Sequence, residues 1–123
     1  MAIKLKTEME ILHKTPIIIT TCKASNSHRL HNFDFERVII DEAAQSQEIE
    51  TLLTFRRAKQ AVLIGDSKQL GPIYRREVSE ECDSMLTRLV NSDYKHTILL
   101  TSQFRMNPAL LEIPNKLVYD GNI

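Results

Sequence analysis

Two carboxylates, Asp41 and Glu42, follow directly after the apolar run at residues 38–40. Such a run bounded by polar residues is typical of a strand buried on both faces of a parallel sheet, and ligands of α/β sheets bind where those strands end. One carboxylate there can bind Mg²⁺, often through water, while its neighbour orients or deprotonates an attacking water. The alternative is a strand followed by the acidic N-terminus of a helix, which the helix dipole favours.

Two more polar segments follow apolar runs later in the chain. The run 61–65 leads into Gln69, and the run 97–101 leads into Arg105. The amide of Gln69 offers a donor and an acceptor, which suits sensing a phosphate or a positioned water, whereas the alternative is a turn-capping amide. Arg105 opposite a magnesium-binding carboxylate would have the geometry of an arginine finger, which stabilises charge on a transferring phosphoryl group. A surface ion pair is the alternative for Arg105.

A β-branched run at residues 17–21 leads into a polar loop at 22–32 that contains no acidic residue. Loops that leave the ends of strands usually carry the contacts of a scaffold. We therefore expect Thr21, Lys23 and Ser25 to contact a nucleic-acid backbone, since one-signed charge and hydroxyl groups suit phosphate contacts. A merely solvated loop is the alternative.

The elements that must position these side chains alternate along the chain. The predicted helices lie at 3–14, 45–55, 78–90 and through Leu110, Leu111 and Ile113, with Pro114 interrupting or restarting the last one. The predicted strands lie at 17–21, 36–40, 61–65 and 97–101. Strands spaced by helices indicate βαβ crossovers and a parallel sheet, so the fold class is α/β. Four loops would then share one edge of the sheet: 22–32, 41–45, 65–72 and 102–107.

Composition sets broader limits. The 123 residues suffice for one small domain, and 16 basic residues balance 16 acidic ones, so only a local patch could bind nucleic acid. Cys22 and Cys82 are too far apart for a zinc or redox pair, and adding His28 and His31 to Cys22 gives no fourth zinc ligand. No signal peptide or membrane-spanning run is visible, which predicts a cytoplasmic or nuclear protein with no membrane partner.

Three motifs carry a family resemblance. Residues 41–45 (DEAAQ) look like helicase motif II, residues 65–70 (GDSKQL) like motif III, and residues 103–108 (QFRMNP) like motif IV. Together they resemble superfamily 1 helicases of the nonsense-mediated-decay and senataxin-like group. The segment 20–25 is similar to the family's nucleic-acid-contacting segment, although Ala24-Ser25 stands where the family often has Gly-Ala. Family stretches between and after the motifs are matched by residues 84–90 and 117–121.

The resemblance implies an ATP-driven motor that moves along single-stranded RNA or DNA in the 5′-to-3′ direction, with RNA-decay or RNA-processing proteins as partners. By that likeness Glu42 activates water, Gln69 senses the γ-phosphate and Arg105 reaches it from the junction with a second RecA-like domain. The implied magnesium ligand is Asp41, through water, and Gln45 couples the nucleotide site to motif III. The implied ATP-binding positions are Asp41, Gln45, Asp66 and Gln103.

One expected part of such a motor is missing from the sequence. No Gly-x-x-x-x-Gly-Lys-Ser/Thr loop occurs among the three glycines, which are Gly65, Gly71 and Gly121. We therefore predict an incomplete RecA-like P-loop NTPase fold that lacks the P-loop strand, with residues 1–102 in the first motor domain and 103–123 beginning the second. The chain alone should be inactive. The alternatives are a non-catalytic RNA- or partner-binding module derived from a helicase, and a nuclease or repair factor that uses the same motifs.

Overall fold

A computed structural model describes residues 2–74 and 83–123, in which helices alternate with two strands. In chain order the elements are α1 (Ala2–Lys14), α2 (Cys22–Ser25), a 3₁₀ turn (His28–Leu30), β1 (Phe35–Ile40), a 3₁₀ turn (Ala43–Gln45), α3 (Glu48–Phe55), β2 (Ala58–Leu63), α4 (Met85–Asn91) and α5 (Pro108–Val118). None of these helices combines the length and hydropathy needed to cross a bilayer.

β1 and β2 pair in parallel, with α3 as the crossover between them. The register runs from Phe35 opposite Ala58 to Ile40 opposite Leu63, so both strands finish at the same end of the sheet. We call that end the carboxyl edge. The pairing confirms the α/β fold class and the parallel direction of the two strands that precede Asp41 and Asp66.

The core lies on one face of this two-stranded sheet. Ile40, Ala43, Ala44 and Leu86 are its buried members, and flanking side chains of β1, β2, α3 and α4 pack against them. On the opposite face Ile39 is 64% exposed and Val62 is 45% exposed. The prediction that β1 is buried on both faces is therefore wrong, because α3 and α4 both pack against the face that carries Ile40.

A close backbone approach fixes the turn that follows β1. Ile64 N–H donates to Ile40 O at 2.8 Å, and Ala43 N–H donates to Ile64 O at 2.8 Å, which continues the ladder beyond both strands. A Cβ on Gly65 would lie 3.0 Å from Ala43 N and 3.1 Å from Ala44 N. Only a residue without a side chain leaves room for the turn at this distance.

The sequence predictions for residues 17–21 and 97–101 are wrong, because neither segment is a strand in the structure. A strand is a hydrogen-bonded state, and within the described residues only β1 and β2 form a ladder. β-branched composition gives a segment the capacity to pair but does not supply the neighbour. We conclude that only half of the predicted four-stranded sheet is present in the described structure.

Helix boundaries also differ from the predictions. The loop 22–32 contains α2, which begins where Thr21 Oγ1 accepts a hydrogen bond from Ala24 N at 3.1 Å. The predicted helix 45–55 divides into a 3₁₀ turn and α3, and β2 begins at Ala58 rather than at residue 61. α5 continues through Pro114. Residues 78–82 of the predicted helix 78–90 lie outside the described residues, as does Cys82, whereas Cys22 is a free thiol.

We predict that Gly65→Ala lowers the free energy of unfolding by about 1–3 kcal/mol, because the added methyl group overpacks the turn against Ala43 and Ala44. Denaturant midpoints measure the effect. Gly71→Ala is the matched control, since a Cβ there meets nothing within 4 Å. Equal effects of the two substitutions would contradict the proposed close approach.

Candidate functional site

Asp41 and Glu42 leave the carboxyl edge in a constrained turn. Glu42 has φ 52° and ψ 39°, the left-handed region that non-glycine residues rarely adopt. Its N–H donates to Asp41 Oδ1 at 3.0 Å, and Gln45 Nε2 donates to Glu42 Oε2 at 3.3 Å. Strained backbone of this kind clusters at functional sites, so the conformation of Glu42 marks it as a candidate functional residue. Both carboxylates are exposed at the edge, where a ligand can reach them.

A shallow depression of about 230 Å³ lies beside these carboxylates. It contains five residues that the sequence analysis singled out, together with Cys22, Ser46 and Glu50; the five are Thr21, Lys23, Asp41, Glu42 and Gln45. The structure thus joins the predicted nucleic-acid segment to the predicted metal and water positions. A hollow of about 480 Å³ at the end of α5 is lined by Glu112, Asn115, Lys116, Asp120 and Gly121, none of which was predicted as a site residue.

The three residues predicted to contact nucleic acid are not equivalent. Lys23 is exposed and forms no ion pair within the described part of the chain. Thr21 caps α2 with its hydroxyl oxygen. Ser25 Oγ donates to Cys22 O at 2.6 Å and lies 3.1 Å from Thr54 Oγ1, so its hydroxyl joins α2 to α3. Lys23 is therefore the member best placed to contact a ligand.

Asp66 and Gln69 form a separate turn after β2, outside the depression. Asp66 Oδ1 accepts from Lys68 N at 2.9 Å, and Asp66 Oδ2 accepts from Gln69 Nε2 at 2.9 Å and from the hydroxyl of Tyr119. Partial burial favours a higher pKa for Asp66, but the hydrogen bonds from Tyr119, Lys68 and Gln69 outweigh it, so the pKa lies below its usual value. The amide of Gln69 thus caps the turn, which was the alternative role that the sequence offered for this residue.

Gln103 and Arg105 lie in a third turn. Gln103 Oε1 accepts from Arg105 N at 3.0 Å and from Met106 N at 2.7 Å, while its Nε2 donates to Met106 O at 2.9 Å. The amide of Gln103 therefore closes its own turn. The side chain of Arg105 is exposed and does not line the depression beside Asp41. Arg105 makes no ion pair among residues 2–74 and 83–123. The alternative role of Arg105 in a surface ion pair is therefore not seen in this part of the chain.

Comparisons with known proteins decide the family. One AAA domain model matches residues 2–77, and a second AAA domain model matches residues 82–123. The chain is 37% identical over 120 residues to Regulator of nonsense transcripts 1 of Dictyostelium discoideum and 37% identical over 122 residues to ATP-dependent helicase NAM7 of Saccharomyces cerevisiae. The chain belongs to the superfamily 1 helicases of the nonsense-mediated-decay group. This confirms the resemblance carried by the three motifs.

This helicase chain corresponds to a small part of each relative. The matches cover 94% and 96% of the chain but only 9% and 12% of the Dictyostelium and Saccharomyces proteins. A homologue of Regulator of nonsense transcripts 1 from Arabidopsis thaliana is 38% identical over 125 residues, with 98% of the chain and 10% of that protein covered. The chain therefore spans about a tenth of the length of these relatives.

The donor set of the helicase chain fits magnesium in one specific way. Within the described residues, no group of three or more His, Cys, Asp or Glu side chains could form a complete metal cage. Mg²⁺ does not need one, since it is usually bound through one or two carboxylates, several waters and the phosphates of a substrate. Asp41 has one carboxylate oxygen engaged by Glu42 N–H, and its second oxygen faces no partner among the described residues. The residues present therefore fit a water-mediated magnesium ion.

Tyr119 contacts a residue of the candidate site, and sequence reasoning missed it. Its hydroxyl reaches Asp66 across 53 positions of sequence. A weak signal was present, because Tyr119 belongs to the stretch 117–121 that resembles the family, but nothing in the sequence indicates its partner. Glu50 likewise joins the depression without any motif that marks it.

Proposed function

We propose that this chain supplies the magnesium-binding and water-activating side of an ATP site in a nucleic-acid-stimulated helicase. The depression at the carboxyl edge carries the proposal, because Asp41, Glu42, Gln45 and Lys23 all line it. Family membership supports it, as does the Saccharomyces relative, which is named ATP-dependent helicase NAM7. The reaction class is transfer of the γ-phosphoryl group of ATP to water.

Asp41 and Glu42 have distinct proposed roles. Asp41 would hold Mg²⁺ through water, and the bound ion would supply neutralisation of the phosphate charge. Glu42 orients the attacking water and accepts its proton as the water oxygen bonds to the γ-phosphorus, while the bond from that phosphorus to the β–γ bridging oxygen breaks and ADP leaves. The left-handed backbone of Glu42 and the hydrogen bond from Gln45 hold this carboxylate in one orientation, which suits a group that must align a water.

The site residues that lie outside the depression are proposed to act once the motor closes around its nucleotide. Gln69 senses the γ-phosphate by exchanging its bond to Asp66 for one to phosphate, since the same amide can donate to either. Arg105 reaches the γ-phosphate from the second RecA-like domain, which is consistent with its exposed guanidinium, since this group forms no ion pair among the described residues. Gln45 couples the two motifs, and Gln103 lies near the nucleotide while it shapes the turn that carries Arg105.

The proposed context is translocation in the 5′-to-3′ direction along single-stranded RNA or DNA, in the cytoplasm or nucleus, with RNA-decay or RNA-processing proteins as partners. The name Regulator of nonsense transcripts 1 supports an RNA pathway for the relatives that carry it. Residues 1–102 would complete the first RecA-like domain, and residues 103–123 would begin the second. The two family models divide the chain between residues 77 and 82.

We predict that Asp41→Asn weakens the response to Mg²⁺ and ATP about tenfold, which corresponds to ~1.4 kcal/mol. The charge that attracts the ion would be lost while the side-chain shape is kept. NMR titration of the Glu42 and Ala43 amides measures the response even at weak affinity. Asp34→Asn is the matched control, because Asp34 is an exposed carboxylate just before the opposite end of β1. Equal responses in the two variants would contradict the proposed role.

We predict that Lys23→Ala weakens binding of single-stranded RNA and reduces the slope of log K against log salt by about 1, because one phosphate contact is lost. Fluorescence anisotropy at several salt concentrations measures both quantities. Lys59→Ala is the control, since Lys59 Nζ is paired with Glu36 Oε1 at 2.6 Å on the outer part of the sheet. An unchanged slope in Lys23→Ala would exclude Lys23 from the interface.

A second candidate function is a non-catalytic module that binds RNA or a protein partner. Three side chains at helical spacing on α5 favour it, because Leu110, Ile113 and Leu117 are 69%, 67% and 76% exposed. An exposed apolar stripe of this kind marks a surface that another element covers.

We predict that the purified 123-residue chain shows no ATP turnover with or without RNA, since it contains no Gly-rich loop and lysine to cradle the phosphates. Phosphate release measures this. Robust RNA-stimulated hydrolysis would overturn the expected inactivity. If Mg²⁺ and ATP cause no shift of the Glu42 and Ala43 amide signals while RNA or protein binding is retained, the non-catalytic binding module is favoured instead.

A further inference from the structure

One carboxylate joins α5 to the turn that carries Gln69. Asp66 Oδ2 accepts from both the hydroxyl of Tyr119 and Gln69 Nε2, and Asp66 Oδ1 accepts from Lys68 N. All three donors therefore depend on a single side chain. A carboxylate has lone pairs for several such bonds, but two donors on one oxygen share its charge.

The hydroxyl of Tyr119 is held by the end of α5 rather than by a flexible tail. Tyr119 is the C-cap residue, and its N–H donates to Asn115 O at 3.1 Å. Gly121 N–H donates to the same carbonyl at 3.0 Å, with Gly121 in the left-handed region at φ 77°. The side chain of Asn115 in turn bonds the backbone of Ile123. The position of α5 therefore determines the position of the hydroxyl.

We propose that Tyr119 is a positioning residue that holds Asp66 and thereby fixes the turn of Gln69, so that the placement of α5 controls how tightly the Gln69 amide is tied to Asp66. The inference rests on the proposed function for the role of Gln69 at the γ-phosphate. With Tyr119 engaged, Asp66 is held in place and keeps the Gln69 amide in its turn. With α5 displaced, Asp66 loses this support and the turn that carries Gln69 loosens.

The contact shifts the pKa of both groups. The hydrogen bond to Asp66 raises the pKa of Tyr119, with burial and the negative charge of Asp66 acting in the same direction. Burial of Asp66 acts against the lowering of its own pKa, which the bonds from Tyr119, Lys68 N–H and Gln69 produce together with the positive charge of Lys68. A carboxylate whose pKa is lower in the folded state than in the unfolded state stabilises the folded state at pH values above the pKa of the unfolded state. This contribution is lost as the pH falls through the pKa of the folded state.

The test compares Tyr119→Phe with Tyr94→Phe in the full 123-residue chain. Both changes remove a hydroxyl and keep the ring, but the hydroxyl of Tyr94 makes no hydrogen bond within the described structure. Tyr94 is 46% exposed, and its ring contacts that of His96. Amide exchange at Lys68 and Gln69 is expected to rise roughly three- to tenfold in Tyr119→Phe, since a bond to a charged group is lost, and to stay unchanged in Tyr94→Phe. Amides of β1 report whether the fold is intact.

A pH titration separates positioning from general packing. In the wild-type chain the Asp66 carboxyl, followed by ¹³C NMR, should titrate below its ordinary range, and the protection of the Lys68 amide, measured relative to an unstructured amide at the same pH, should fall as the pH falls through that value. In Tyr119→Phe the titration should move upward, whereas Tyr94→Phe should match the wild type. Identical Asp66 titration and identical Lys68 and Gln69 exchange in wild type and Tyr119→Phe would overturn the inference.

Asp66→Asn keeps the test decisive if Tyr119→Phe also loosens β1. Adding Tyr119→Phe to Asp66→Asn should cause no further rise in Gln69 exchange, because the two residues act through one contact, while additive effects would overturn the inference. Mg²⁺ and ATP are used only in a separate arm. Faster Lys68 and Gln69 exchange in Tyr119→Phe, together with silent Glu42 and Ala43 amides, supports the positioning role and counts against the proposed nucleotide site.

Discussion

The parallel pairing of β1 with β2 is the constraint on which the candidate site depends. It extends past both strands through the bonds that join Ile64 to Ile40 and Ala43 to Ile64. Because Ala43 must bond back to the neighbouring strand, the chain has to reverse within two residues of Ile40, and Glu42 adopts a left-handed conformation to do so. That conformation costs about 1–3 kcal/mol, which the ladder and the buried alanines offset. Gly65 leaves the space that the reversal requires.

The parts of the fold that sequence predicts well are those whose partners are also in the chain. The apolar run ending at Ile40 and the one ending at Leu63 supply each other with ladder hydrogen bonds, so both strands form. The runs at 17–21 and 97–101 are also rich in aliphatic and β-branched residues, but no neighbouring strand pairs with them in the described structure. Composition records only the capacity to pair, and for that reason the sequence overestimates the sheet. The continuation of α5 through Pro114 is a similar case of context overriding local preference.

For the candidate site, the sequence predicts positions better than it predicts contacts. Asp41 and Glu42 could be expected to share an edge, since they end one apolar run and need no distant partner. By contrast, the amides of Gln69 and Gln103 are both engaged in their own turns, and their spacing alone could not distinguish this from a ligand contact. Tyr119 was missed because its partner is 53 residues away, a distance at which local patterns carry no information.

The charges around the depression favour an order of binding. Asp41, Glu42 and Glu50 contribute three carboxylates, against one ammonium group from Lys23. A phosphate chain that entered alone would meet an excess of like charge, whereas one that carries Mg²⁺ brings the charge that the site needs. The same excess opposes a nucleic-acid strand everywhere except beside Lys23. We therefore expect nucleic acid to approach along the first turn of α2 and the metal-bound nucleotide to approach Asp41, so that the two ligands meet at this depression without competing for the same groups.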